Sequence, residues 1–233
     1  MSKASDTFSK GLRKLLVGDF KQLLIFLILL FVFRPYNLGV DYIAIWHLFF
    51  TGVLLAAVFN CHHTAPVKIT ALFLGIPTFI LNWLSLFKPD EFFFVAALSA
   101  SLIFLIFAIF SLLSRVLLGK VNADVLRGTI CVYFMIGFAF SIIYTIMEFL
   151  YAGSFSGLSE RPLLFPHGHY HSEMVYFSFI TILAIGYGDI TPTTDVGQMM
   201  AVAEGIIGQF YLALIVARLV ATYSIRAIKK PKS

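Results

Sequence analysis

The 233-residue chain has few charged residues, 12% of the total, and only two cysteines, Cys61 and Cys131. So little charge beside 60% hydrophobic residues excludes an ordinary soluble globular domain. Two cysteines without a metal-ligand spacing exclude a disulfide framework and a zinc motif. The mean hydropathy of +0.92 therefore predicts an all-α membrane protein with several spans.

Long apolar runs make up most of the chain. A helix needs about 20 apolar residues to cross a hydrocarbon core of roughly 30 Å. The sequence predicts six transmembrane helices, over residues 15–33, 41–60, 66–87, 91–118, 126–151 and 196–222. The first contains Asp19 and Lys21, so an interfacial helix is the alternative for it. A further apolar segment, 172–184, is too short to span and is typical of a re-entrant helix.

The basic residues are distributed unevenly between the predicted loops. If both termini are cytoplasmic, 14 of the 17 Lys and Arg residues lie inside, and only Arg34, Lys88 and Arg161 lie outside. The net charge of +5 therefore indicates membrane topology and argues against nucleic-acid binding. The pattern favours a plasma membrane, the bacterial inner membrane, and an organellar membrane is the alternative. The basic N-terminal arm fits a helix on anionic membrane lipids, and an ordinary topogenic flank is the alternative.

The segment from Thr181 to Asp189 reads TILAIGYGD. Successive carbonyls can point to one axis if ordinary and positive φ angles alternate, and glycine reaches positive φ at little cost. Gly186 and Gly188 are two residues apart, as this alternation requires. The segment resembles the selectivity filter of the potassium channel superfamily, and the resemblance extends over about residues 126–222.

This resemblance implies a homotetramer that conducts K⁺ passively, because each chain supplies one pore loop and the filter needs four. K⁺ is the permeant ion, and neither a cofactor nor an enzymatic activity is implied. The carbonyls implied to coordinate the ion are those of Ala184, Ile185, Gly186, Tyr187 and Gly188. Members of the family usually have threonine where Ala184 stands. A weakly selective cation channel and a non-conducting auxiliary subunit are therefore the alternatives.

Other residues are expected to support the filter. We predict a pore helix that begins near Ser172, as its cap, and ends near Leu183. Relatives place two tryptophans where this chain has Tyr176-Phe177. Tyr176 can hydrogen-bond Asp189, whereas Phe177 has no donor for the filter tyrosine. The candidates for filter support are Tyr176, Thr181, Asp189, Glu148 and Glu204.

Two acids and two glycines near the pore have alternative interpretations. Glu148 is expected to accept hydrogen bonds from backbone at the start of the pore loop or of the last span. Glu204 lies within the last span, where charge is costly, so it is either a protonated or hydrogen-bonded strut or a proton-sensing gate. Gly205 and Gly208 are candidates for a gating hinge, and close helix packing is the alternative.

Three histidines, His167, His169 and His171, precede the pore helix and predict sensing of external protons or metal ions. A solvated loop is the alternative. A membrane metalloenzyme that uses these histidines with Glu173 is disfavoured, because they lack the HExxH spacing of a helical zinc site.

The fourth span has no arginine before Arg115, so the basic array of a voltage sensor is missing. We predict four parts of the chain: a basic cytoplasmic N-terminal arm (1–20), a four-helix peripheral transmembrane domain (21–120), a pore domain (125–223) and a short basic cytoplasmic tail (224–233).

Overall fold

The structure, a computed structural model, describes residues 20–33, 40–60, 65–88, 90–119, 122–158 and 168–229. Within these ranges the chain forms seven helices and one pair of short antiparallel strands. The helices are α1 (Phe20–Val32), α2 (Val40–Asn60), α3 (Ala65–Phe87), α4 (Glu91–Leu118), α5 (Ala123–Leu150), α6 (Gly168–Ile182) and α7 (Asp195–Lys229), and the strands are β1 (Phe155–Ser156) and β2 (Thr191–Pro192).

The predicted all-α membrane fold is confirmed. Among the described residues, α3, α4, α5 and α7 are long and apolar enough to cross a membrane. Helix α1 has 13 described residues, or about 20 Å at 1.5 Å per residue, and the residues predicted to lengthen it lie outside the described part. Helix α2 has 21 residues, and the part whose side chains the structure describes, Ile45–Asn60, is too short to be assigned as a span by itself. A total of six spans therefore stays a prediction.

Two helices begin earlier than the sequence predicted. Helix α5 begins at Ala123 rather than at residue 126, because the side chain of Asn122 accepts a hydrogen bond from the Val125 amide at 2.8 Å and caps the helix. Helix α6 begins at Gly168, so the prediction of a start at Ser172 is wrong by one turn. Ser172 is inside the helix because the preceding four residues already adopt helical backbone.

Helix α5 is the centre of the fold and packs against α1, α4 and α6. The ring of Phe20 in α1 lies over Gly128 of α5, where a Cβ atom would come within 2.8 Å of the ring. Leu23 and Leu27 continue this buried stripe along α1. On the other side of α5, the ring of Phe179 in α6 lies against Gly137. Small residues on α5 thus let two neighbouring helices approach closely.

The turn between α4 and α5 joins the peripheral helices to the last helix. Arg115 of α4 donates to the backbone carbonyl of Asn60 at 3.1 Å and lies 3.6 Å from the carboxylate of Asp124. Arg218 of α7 donates to the carbonyls of Val116 and Gly119 at the end of α4. Because the last carbonyls of a helix lack partners within it, a guanidinium there satisfies them.

Candidate ion-conducting site

The φ angles of the backbone after α6 alternate in sign, as the spacing of Gly186 and Gly188 predicted. Ala184 has a φ of 56°, Gly186 of 56° and Gly188 of 78°, whereas Ile185 and Tyr187 between them have ordinary negative φ. This alternation turns successive carbonyls to one side, which a regular strand does not do. A positive φ at Ala184 was not predicted, because alanine rarely adopts it. The five predicted coordinating residues are therefore continuous in chain and share one repeating backbone geometry.

The carbonyls at the end of α6 fix the start of this segment. The amides of Ile185 and Gly186 both donate to the carbonyl of Ile180, at 2.9 and 3.2 Å. The Ala184 amide donates to the carbonyl of Thr181 at 2.9 Å. The position of α6 therefore determines where the candidate filter segment, Ala184–Gly188, begins.

A tyrosine of α5 also reaches the end of α6. The hydroxyl of Tyr133 donates to the carbonyl of Ile182 at 2.9 Å, and its ring is stacked on that of Tyr211 in α7. Tyr211 in turn donates to the carbonyl of Thr129 at 2.8 Å. These two phenols connect the three helices at the inner end of the site.

The outer end of the filter segment is tied to α6, as predicted. The hydroxyl of Tyr176 donates to a carboxylate oxygen of Asp189 at 2.6 Å. This hydrogen bond holds the pKa of the Asp189 carboxyl below its ordinary value, since it stabilises the charged form. The neighbouring Phe177 is buried between the rings of Tyr144 and Phe155, at centroid distances of 5.0 and 5.3 Å.

The loop after α5 is held by Glu148. Its two carboxylate oxygens accept hydrogen bonds from the amides of Gly153, at 2.8 Å, and Phe155, at 3.0 Å. This confirms the predicted bonding to backbone at the start of the pore loop. The loop then passes so close to Asp189 that a Cβ atom at Gly157 would lie 1.8 Å from the Asp189 carbonyl oxygen. Gly157 has a φ of 82°, so glycine is required there for both reasons.

Glu204 is fully buried between three helices. It accepts a hydrogen bond from the hydroxyl of Tyr144 in α5 at 2.7 Å, and its other oxygen lies 2.5 Å from the hydroxyl of Ser178 in α6. The Ser178 hydroxyl is also 2.6 Å from the carbonyl of Gly137 in α5. Glu204 is therefore hydrogen-bonded to two other helices, and its role as a strut or as a proton-sensing gate stays a prediction.

The two glycines of α7 differ in their surroundings. A Cβ atom at Gly208 would lie 2.6 Å from the side chain and 2.9 Å from the carbonyl oxygen of Ile182. A Cβ atom at Gly205 would meet nothing within 4 Å in the described chain. Gly208 thus serves close packing of α7 on α6, and a hinge at either glycine stays a prediction.

The structure gives fewer contacts for the remaining predicted site residues, Thr181 and the three histidines. Thr181 bonds back to the carbonyl of Phe177 at 2.8 Å, within its own helix. His167 lies outside the described residues, while His169 and His171 lie in the first turn of α6 without described side chains. Their proposed sensing of protons or metal ions therefore stays a prediction.

The comparison with known families identifies this part of the chain. Residues 129–224 match the family described as Ion channel. These residues are therefore similar to an ion channel domain. The resemblance recognised in the sequence is thus confirmed for this part, and the match indicates ion transport rather than catalysis.

Two curated relatives match part of the chain. Both have the name Protein LctB, one from Bacillus caldotenax and one from Geobacillus stearothermophilus, with 44% and 42% identity over 48 residues. The alignments cover 21% of this chain and 35% of each relative, so they span about a third of the relatives' length. No solved structure matches the chain.

Four residues that contact α6, Glu204 or Asp189 were not predicted from the sequence: Tyr133, Tyr144, Ser178 and Gly157. The first three are hydroxyl-bearing residues within apolar helices, where each buried hydroxyl needs a partner. This requirement indicates that each hydroxyl has a hydrogen-bond partner, but it does not identify the partner. Gly157 gave no signal, since glycine is common in loops.

Proposed function

We propose that this protein is a potassium-selective channel that conducts K⁺ passively through a homotetrameric pore. The observation that carries the proposal is the alternating backbone of Ala184–Gly188, attached to the end of a short helix within an ion channel domain. Rings of carbonyl oxygens can replace the hydration shell of a permeant cation. K⁺ is the transported ion, and the transport needs no cofactor.

Four copies follow from the supply of carbonyls. One chain provides one filter segment, and a ring around an axis needs several identical segments. In the single chain, the side chains of Ile185 and Tyr187 are 48% and 71% exposed. Large apolar residues of α7 are exposed as well. Their exposure in the single chain supports the tetramer, because large exposed apolar patches mark interaction sites that other copies would cover.

The other parts of the proposal concern placement in the membrane. We infer that residues 125–223 are the pore domain and 21–120 a peripheral transmembrane domain, with the arm (1–20) and tail (224–233) in the cytoplasm. The excess of inner Lys and Arg residues supports this orientation and a bacterial inner membrane. The arm lies outside the described residues, so its contact with anionic lipids stays a prediction.

The first experiment measures cation flux through purified protein in liposomes, with either K⁺ or Na⁺ as the permeant ion. We expect K⁺ flux and little Na⁺ flux. Equal fluxes would contradict the proposal and favour a weakly selective channel, for which the missing hydroxyl at Ala184 is the specific observation. An absence of flux would contradict conduction by the chain alone and favour an auxiliary subunit.

Two glycine variants make a matched pair for this assay. Gly188 and Gly153 have φ angles of 78° and 87°, and a Cβ atom at either meets nothing within 4 Å. Alanine therefore introduces a similar backbone strain of about 1–2 kcal/mol at each position. We expect Gly188→Ala to reduce K⁺ flux or selectivity and Gly153→Ala to leave both unchanged. Equal effects would show that strain, and not the filter backbone, is being measured.

A further inference from the structure

Glu204 is an acid in a setting that does not suit a charge. It is completely buried, as are Tyr144 and Ser178, the two side chains that contact it. It lies within the apolar part of α7, which is long enough to span a membrane. An ionised carboxylate in such a place is costly unless it is paired with a cation, and both of its contacts are neutral hydroxyls.

The number of protons shared by Tyr144, Glu204 and Ser178 determines whether Glu204 is charged. Three short oxygen–oxygen contacts link Tyr144 to Glu204, Glu204 to Ser178 and Ser178 to the Gly137 carbonyl, at 2.7, 2.5 and 2.6 Å. Each contact at such a distance needs one proton between the oxygens. Tyr144 and Ser178 supply one proton each, and the carbonyl supplies none. The third proton must come from the carboxyl group of Glu204.

The geometry also places this third proton. The Gly137 carbonyl can only accept, so the Ser178 hydroxyl donates to it. The contact between Ser178 and Glu204 then requires Oε1 of Glu204 to donate. Oε2 is left as the carbonyl oxygen of the acid, and it accepts from Tyr144. The hydrogen bonds therefore run in one direction, from Tyr144 through Glu204 and Ser178 to the backbone of α5.

We propose that Glu204 is a neutral carboxylic acid whose proton completes this chain of hydrogen bonds and thereby positions α6 for conduction. The proton joins α7 to Ser178 of α6, and α6 carries the carbonyls on which the filter segment begins. Glu204 is thus a positioning residue that acts through Ser178. The effect on conduction rests on the proposed channel function, whereas the protonation itself does not.

The sign of the pH dependence follows from this chemistry. The hydrogen bonds are complete when Glu204 is protonated, and they are lost when alkaline conditions remove the proton. The titratable groups that interact with Glu204 among the described residues are two phenols of α5, Tyr144 and Tyr133. Since neither phenol has a positive form, a negative Glu204 finds no cation there to stabilise it.

Infrared spectroscopy tests the protonation without any transport. A protonated carboxylic acid has a C=O stretching band that a carboxylate lacks. We expect this band in the purified protein near neutral pH and expect it to be absent from Glu204→Gln. In Tyr144→Phe the band should persist and move to higher frequency, because Oε2 loses its hydrogen bond. An unchanged band in Glu204→Gln would overturn the proposal.

Cation flux in liposomes tests the positioning role. In glutamine, an amide group can donate to Ser178 while the carbonyl accepts from Tyr144, so Glu204→Gln should conduct and lose the alkaline decline of the wild type. Glu204→Leu should reduce flux at least about tenfold, because it removes the hydrogen bonds to both Tyr144 and Ser178 and the loss of one buried hydrogen bond alone shifts an equilibrium by about tenfold. Flux is read for K⁺ and Na⁺ together, so a lack of selectivity does not affect the result.

Glu148→Gln is the control, since Glu148 bonds two backbone amides as an acceptor and is not expected to contribute to the acid band. Ser178→Ala covers the case in which Glu204→Leu does not fold, because it removes the same link with a smaller change in volume. If the acid band is present but flux in Ser178→Ala equals that of the wild type across pH, the positioning role is wrong. If flux and the band decline together as pH rises, both parts of the proposal are supported.

Discussion

The two helices that flank the filter segment, α5 and α7, are buried to very different extents. In the apolar part of α5, 67% of the residues are buried within the described chain, compared with 17% in α7. Helix α5 is surrounded by α1, α4 and α6, whereas α7 touches its own chain along one side. A single chain therefore completes the environment of α5 and leaves most of α7 uncovered.

The difference shows where each helix obtains its position. Helix α5 has an extensive buried surface, so no single contact fixes it. Helix α7 is joined to the rest of the chain by a few specific groups: Glu204, Gly208, Tyr211 and Arg218. Its uncovered side carries Met199, Phe210 and Leu214, which are 61–68% exposed and are available to other copies in the proposed tetramer. Substitutions at the few joining groups of α7 should therefore have large effects.

The largest effect is expected at Gly208. Alanine there would place a Cβ atom 2.6 Å from the side chain of Ile182 and push α7 away from α6. Overpacking of this kind costs about 1–3 kcal/mol, so both the midpoint of thermal unfolding and the ion flux should fall.

Gly205→Ala is the matched control for this prediction, one turn away on the same helix. It has free space in the described chain, and alanine favours the helix by about 1 kcal/mol, so thermal stability should be kept or raised. If Gly208→Ala were as stable as Gly205→Ala, the joining role of this contact would be contradicted. A loss of flux with unchanged stability in Gly205→Ala would instead favour the predicted hinge.

An intermediate effect is expected at Tyr211. Phenylalanine removes the hydroxyl that donates to the carbonyl of Thr129 and leaves a buried carbonyl of α5 without this partner. The expected loss is about 1 kcal/mol, measured as a lower midpoint of thermal unfolding. Tyr151→Phe is the control, because Tyr151 is 74% exposed at the end of α5 and the change should have no effect. Equal stability of the two variants would contradict the idea that α7 depends on few contacts.

The smallest effect is expected at Tyr176, whose hydrogen bond to Asp189 is exposed to solvent. Tyr176→Phe removes the hydrogen bond to Asp189, and an exposed contact of this kind should change open probability by about two- to threefold in single-channel recordings. Ser156→Ala is the control, because it removes a hydroxyl contact to Thr191 at the same surface and leaves the hydrogen bond between Tyr176 and Asp189 in place. A change in Ser156→Ala equal to that in Tyr176→Phe would contradict a specific role of Tyr176.

The pH dependence of this contact has a definite sign. The hydrogen bond lowers the pKa of Asp189 below its ordinary value of 3.8, so its contribution is present above that value. It is lost only as the pH falls through the lowered pKa. Tyr176→Phe should therefore differ from the wild type by the same factor at pH of about 5.5 and about 7.5, the range in which histidine titrates. A difference that varied within this range would implicate other groups.

Much of the structure of residues 123–229 could be predicted from the sequence. The apolar lengths gave the bounds of most helices to within a few residues, because crossing a bilayer fixes how long an apolar helix must be. The spacing of Gly186 and Gly188 predicted the alternating sign of the φ angles, because few residues other than glycine adopt a positive φ. The hydrogen bond from Tyr176 to Asp189 was predicted from the family resemblance. These two residues are only 13 positions apart in the sequence, so both lie within the segment that carries the resemblance.

Contacts between distant helices could not be predicted in the same way. Tyr144 and Glu204 are 60 residues apart, and their meeting depends on how α5 and α7 are rotated against each other. Apolar composition determines that a helix lies in the membrane but not which side faces a given neighbour. The starts of α5 and α6 were also missed, because a cap such as Asn122 or one extra helical turn depends on local bonding rather than on hydrophobicity.

The most direct test of potassium selection is the reversal potential of single channels in a planar bilayer, with K⁺ on one side and an equal concentration of Na⁺ on the other. If the carbonyls of Ala184–Gly188 select K⁺, the reversal potential should lie far from zero, on the side set by the K⁺ gradient, and Gly188→Ala should move it toward zero. A reversal potential near zero in the wild-type channel would contradict potassium selection by this backbone.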